Sequence, residues 1–127
     1  MIVVDTSVWV AARREPSGDV STALASILDA DEVALALPVR LELLAGTARA
    51  DRVRFRRAFS ALPLLVPTET TWAPLDEWVE RAADRGERFA VSDLLIARLA
   101  DEAGALVWSL DDDFARLARL QLVRLYR

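Results

Sequence analysis

The chain of 127 residues contains no cysteine and no histidine, and all 16 of its basic residues are arginine, so lysine is missing as well. Each absence removes a class of chemistry. Without cysteine there is no disulfide staple, no thiolate nucleophile and no sulfur ligand for zinc. Without histidine there is no Ser–His relay and no imidazole ligand. Without lysine there is no Schiff base and no P-loop lysine. No apolar run approaches the roughly 20 residues that a membrane-spanning helix requires, so no membrane role is expected. The opening "MIVVD" lacks the basic and long apolar segments of a secretory leader. Together with the absence of cysteine, this predicts a cytoplasmic protein.

What remains is carboxylate, hydroxyl, one tyrosine, arginine and backbone. If the chain is an enzyme, its natural chemistry is carboxylate plus a hard cation such as Mg2+ or Mn2+. The net charge of −4 argues against indiscriminate binding to nucleic acid, yet leaves room for a local basic track with a metal at its end. The length and the 54% apolar share suit one domain, residues 1–127, with a hydrophobic core of its own.

The apolar pattern alternates between short runs and helical spacing. "IVV" (2–4) reads as a buried strand ending at Asp5, and "TSVWVAARRE" as the helix after it. Val20, Ala23, Leu24, Ile27 and Leu28 keep helical spacing over Asp19–Ala30. "VALAL" (33–37) is a second strand, and "PVRLELLAG" a helix with proline in its first turn, stopped by Gly46. A helix is expected from Asp51 to Leu62, then a short strand in "LPLLVP". Thr71–Gly86 is expected as one helix with Trp72, Leu75, Val79 and Ala82 inward. Another helix starts at Ser92, is apolar nearly all round and stops at Gly104. "ALVW" (105–108) is a strand, an acidic turn and a short helix with Phe114, Leu117 and Leu120 follow, and "LVRLY" closes as a strand. Short strands bracketed by helices predict an α/β fold, a parallel sheet covered on both faces.

Ligands of such sheets bind beyond the carboxyl ends of the strands. Asp5 follows the first strand, Glu42 lies early in the helix after the second, Asp111 and its neighbours follow the strand at 105–108, and Asp93 opens a helix near its positive end. Each also has a plain structural use. Asp5 and the Asp111–Asp113 turn suit helix caps, Asp93 suits a first-turn partner of the helix dipole, and Glu42 suits a solvated face. Their shared edge is the stronger fact, because clustered carboxylates repel unless a cation sits among them.

"IVVDTSVW", "RLELLAG", "VSDLLIARLA" and "LVWSLDDDF", in this order and covering nearly the whole chain, resemble the PIN-domain family, and in particular its VapC-type toxin ribonucleases. The resemblance implies an α/β/α sandwich with a five-stranded parallel sheet. It implies a Mg2+- or Mn2+-dependent endoribonuclease of a toxin–antitoxin pair, with catalytic acids at Asp5, Glu42, Asp93 and Asp111. Of these, Asp5, Asp93 and Asp111 would hold the metal, and Glu42 would orient water or hold a second ion. Ser7 and Ser109 would support the ligands by hydrogen bonds. Ser109 stands where the family more often has threonine. Among Asp111, Asp112 and Asp113, Asp111 is the choice and Asp113 a second contributor. The resemblance also implies an RNA substrate, a cognate antitoxin that covers the site, and a homodimer.

The chemistry suits phosphodiester hydrolysis, since a bound divalent ion lowers the pKa of its water and stabilises charge on phosphoryl oxygens. "RADRVRFRR", with Arg49, Arg52 and Arg56, is the most basic stretch and reads as a backbone track or a seat for an acidic partner, or else as a solvated helix face. Arg13 and Arg14 are a second candidate pair. A phosphoacceptor domain or a dehalogenase-like phosphatase shares the pattern but needs the lysine this chain lacks. The remaining rival is a catalytically silent module of the same fold that acts through binding alone.

Overall fold

The computed structural model describes residues 1–127. Four short apolar segments pair side by side and run the same way: β1 (Ile2–Val4), β2 (Val33–Ala36), β3 (Leu64–Leu65) and β4 (Leu106–Trp108). Their order is β3-β2-β1-β4, with every pairing parallel. Parallel neighbours need long crossovers. These are supplied by helices α1 (Thr6–Arg14), α2 (Asp19–Asp29), α3 (Leu37–Ala45), α4 (Arg52–Phe59), α5 (Glu69–Trp72), α6 (Leu75–Asp84) and α7 (Val91–Glu102), and α8 (Asp112–Arg119) follows β4.

The side chains of β1 alternate between faces, as strand geometry requires. Ile2 and Val4 pack with Val8, Leu24 and Ile27 of α1 and α2. Val3 joins the larger core on the other face with Val39 of α3, Trp78 of α6, the buried stripe of α7, and Phe114 and Leu117 of α8. The result is the expected α/β/α sandwich. The near-continuous apolar surface of α7 is explained by its burial, from Leu94 through Ala100 with only Arg98 partly exposed.

Two expectations are corrected. The sheet has four strands rather than five. "LVRLY" touches β4 through one parallel bridge, Val107 to Leu125, with hydrogen bonds of 2.8 Å from Val107 N to Arg124 O and from Tyr126 N to Val107 O. Two bonds do not extend into a ladder. The helix expected over Thr71–Gly86 is two, because Pro74 lacks an N–H and its ring clashes with the preceding turn. α5 therefore stops at Trp72 and α6 restarts at Leu75. The restart changes which face turns inward: Leu75, Trp78 and Ala82 are buried, while Trp72 and Val79 are 49% and 52% exposed. Gly86, at φ 71, takes the left-handed conformation that follows many helix ends and favours glycine.

Candidate active site

The carboxyl ends of β1 and β4 lie together because the two strands pair in register, Val4 opposite Trp108. The chain leaves both strands through an acidic cap. Asp5 caps α1 and Asp111 caps α8, each accepting from the backbone N–H two residues on. Capping and convergence are thus one arrangement: the geometry that lets each carboxylate satisfy a helix end also aims it at the same mouth.

Asp5 is 6% exposed and is held by hydroxyls. Ser7 Oγ donates to Asp5 Oδ2 at 2.7 Å, and Ser109 Oγ donates to the same oxygen at 2.8 Å. The two hydroxyl oxygens are 3.2 Å apart. The backbone N–H of Leu110 donates to Ser7 Oγ at 3.0 Å, and that of Asp111 to Ser109 Oγ at 2.9 Å. The serines therefore tie the loop after β4 to the start of α1.

Carboxylate oxygens of Asp93, Asp111 and Asp113 lie within 4.8 Å of one another. Asp93 comes from the first turn of α7 and the other two from the cap and first turn of α8. The Asp93 carboxyl is pushed up to about 7, first by burial, then by its hydrogen bond to Asp113 and the charges of Asp113, Asp5 and Asp111. Asp113 is held below the usual carboxylate range, chiefly by its hydrogen bond from Arg116. Glu42 is raised by burial and by the charge of Asp5, against a hydrogen bond from Thr6, whose Oγ1 lies 3.3 Å from Oε1. Asp5 thus stands within electrostatic reach of both Glu42 and Asp93. Asp112 stays outside the close group, in the exposed first turn of α8.

Two contributors escaped the sequence reading. Thr6 holds Glu42; its position inside "DTS" was visible, but not its partner 36 residues away. Arg116 donates to Asp113 Oδ1 at 2.7 Å, pairs with Glu87, and lies 4.4 Å from the centre of the Phe89 ring. It thereby fastens the segment before α7 to α8, and its spacing three residues after Asp113 was the available clue.

The arginines expected to meet RNA or a partner are all exposed. Arg14 lines a groove of about 660 Å³ that also contains Ser7 and Leu110, next to the acids. Arg13 lines a separate, mostly apolar groove of about 340 Å³ with Trp9, Leu43, Phe55 and Phe59. Arg49 lies in the turn before α4, and Arg52 and Arg56 lie on α4. The side chains of these three make none of the hydrogen bonds that order the acidic mouth.

The donor set is hard oxygen throughout, with mutual repulsion recorded in Asp93, which is the chemistry that suits a divalent cation of the Mg2+ type. A family model described as PIN domain matches residues 2–120. VapC ribonuclease Mb1587 of Mycobacterium bovis and ribonuclease VapC11 of Mycobacterium tuberculosis are each 30% identical to the chain, over 94% of it and 93% of their own length. The fold is similar to that of VapBC2 from Rickettsia felis, solved bound to a DNA fragment from its promoter, with a TM-score of 0.78 at 18% identity over 99% of this chain and 98% of that one.

Proposed function

Because the chain belongs to the PIN-domain family, we propose that it is an endoribonuclease, the toxin of a VapBC-type toxin–antitoxin pair, which hydrolyses RNA phosphodiester bonds with Mg2+ or Mn2+. The observation that carries this reading is the meeting of Asp93, Asp111 and Asp113 beside Asp5 and Glu42 at one edge of the sheet. Asp5, Asp93 and Asp111 would hold the ion, with Asp113, whose carboxylate lies with those of Asp93 and Asp111, as a second contributor. A divalent ion bound there supplies Lewis acidity to the phosphoryl oxygens and makes water more acidic.

The chain's own residues do the rest. Ser7 and Ser109 fix the Asp5 carboxylate in one rotamer, so no reorganisation is needed when substrate arrives. Glu42, with its raised pKa, sits closer to neutral pH than an ordinary carboxylate and is suited to take a proton from attacking water. Arg116 sets the direction of Asp113. The groove beside Ser7 and Arg14 receives the RNA, and the apolar groove around Trp9, Phe55 and Phe59 receives a segment of the antitoxin. A homodimer in the cytoplasm, built from a single nuclease domain per chain, belongs to the same proposal.

Incubating the purified chain with structured RNAs and Mn2+, beside an Asp5→Ala/Asp93→Ala variant and an EDTA control, tests it. The expected result is discrete RNA fragments with wild type only. If all three samples leave every RNA intact, the silent binding module is the better reading.

A further inference from the structure

We propose that a cavity at the far end of α8 from the acidic mouth binds a backbone phosphate of the RNA, an anchor several nucleotides from the cut; this rests on the nuclease reading above. The cavity, about 200 Å³, is lined by Arg81, Arg85, Arg119, Leu120 and Gln121. Arg81 belongs to the last turn of α6 and Arg85 caps it, while Arg119 ends α8. Gln121, held at φ 60, brings a neutral amide to the same lining.

None of the three guanidiniums is engaged within the chain. The ion pairs use Arg54, Arg98 and Arg116, and the only further arginine side chain that donates a hydrogen bond is Arg124, to Gly104 O. No carboxylate lines the cavity. Three other grooves differ: Arg14 shares its groove with Glu15 and Asp19, Arg54 with Asp51, and Arg124 with Asp101. The apolar groove of Arg13 also lacks a carboxylate but holds a single arginine among mostly apolar residues. Helix C-terminal ends favour a nearby cation, which accounts for each arginine singly. It does not account for three full positive charges around one hollow with no carboxylate among them, a setting that an anion completes. The planar guanidinium fork matches phosphate oxygens in particular.

The position supports RNA as the source of that phosphate. α8 spans the distance between mouth and cavity, about 10 Å at 1.5 Å per residue, which is a few nucleotides of backbone. Arg116, one turn before Arg119, is already taken by Asp113 and Glu87. A chain of net charge −4 with an acidic mouth repels RNA at long range, so a remote cationic anchor supplies attraction that the site itself lacks.

The test compares wild type, Arg85→Gln/Arg119→Gln and a control with the same charge change, Arg124→Gln/Arg127→Gln, in EDTA so that no RNA is cut. Matched circular dichroism and melting confirm that all three fold. Binding of a labelled single-stranded RNA of about 15 nucleotides is followed by anisotropy across salt concentrations. The cavity variant is expected to lose about 0.7 from the slope of log K against log salt, which at about 0.1 M salt is about a fivefold loss of affinity. The control is expected to follow wild type. Equal slopes and affinities for the two variants, or a wild type that binds no RNA at low salt, would overturn the proposal. Failure of the nuclease reading shows separately, as uncut RNA in Mn2+ while arginine-dependent binding persists.

Discussion

Replacing Asp93 by asparagine should stabilise the metal-free protein while removing its response to metal. In the folded chain the Asp93 carboxyl sits at about 7 against an ordinary 3.8. A raised acid pKa means that, between those two values, the folded state holds a proton the unfolded state has released, so stability falls as pH rises and stays low above about 7. At about 1.4 kcal/mol per pH unit the cost is capped at roughly 4 kcal/mol. Asp93 is only partly buried, and solvent screening reduces this to about 1–2 kcal/mol. Asp93→Asn keeps the shape and the capacity to donate toward Asp113 but never ionises. In EDTA at about pH 8 its Tm should exceed that of wild type by roughly 3–10 °C, and the gap should close as pH falls toward about 4. Saturating Mn2+, at about 100 times Kd, should then raise wild type by about 2.7 kcal/mol and leave the variant nearly unmoved. The assay is a thermal melt in four conditions. An asparagine variant less stable than wild type at pH 8, or one that gains as much from Mn2+, would refute the account of Asp93 as a repelled ligand.

Further outcomes follow from the hydrogen bonds around the mouth. Ser109→Ala removes a donor to Asp5 and an acceptor for the Asp111 N–H, so Mn2+ affinity measured by calorimetry should fall about 10–100-fold, with about 1 kcal/mol lost in urea unfolding. Arg116→Gln frees Asp113, whose carboxyl then rises toward its ordinary range. On acidification, Mn2+ binding should therefore be lost at a higher pH than in wild type, and superimposable binding-against-pH curves would exclude this role for Arg116.

The positions of Asp5 and Asp111 were legible because the one follows directly, and the other after Ser109 and Leu110, a short apolar run that has to be a strand, and parallel strands deliver their carboxyl ends to one edge. Asp93 was legible from the helix that begins just before it. Partners contributed by distant segments were not: the spacing of Arg116 from Asp113 hinted at that one pair, but nothing local pointed from Thr6 to Glu42 or from Arg116 to Glu87. The pairing of Arg116 with Glu87 spans 29 positions and exists only once α8 docks. The break at Pro74 was legible in principle, but the apolar spacing of Trp72, Leu75, Val79 and Ala82 imitates one continuous face. The fifth strand depends on how many backbone bonds "LVRLY" makes with β4, and an apolar run alone does not determine that count. The cavity arginines were invisible for a similar reason: Arg81 and Arg119 are 38 positions apart in the sequence and meet only because two helices end side by side.

The tie from Ser109 to the same Asp5 oxygen that Ser7 holds joins the first few residues to a segment more than a hundred positions downstream. During synthesis Asp5 therefore emerges with only its local Ser7 partner at hand, and its second hydrogen bond waits for Ser109. The acidic mouth stays incomplete until the segment carrying Ser109, Asp111 and Asp113 has been made and has docked against Asp5 and Asp93.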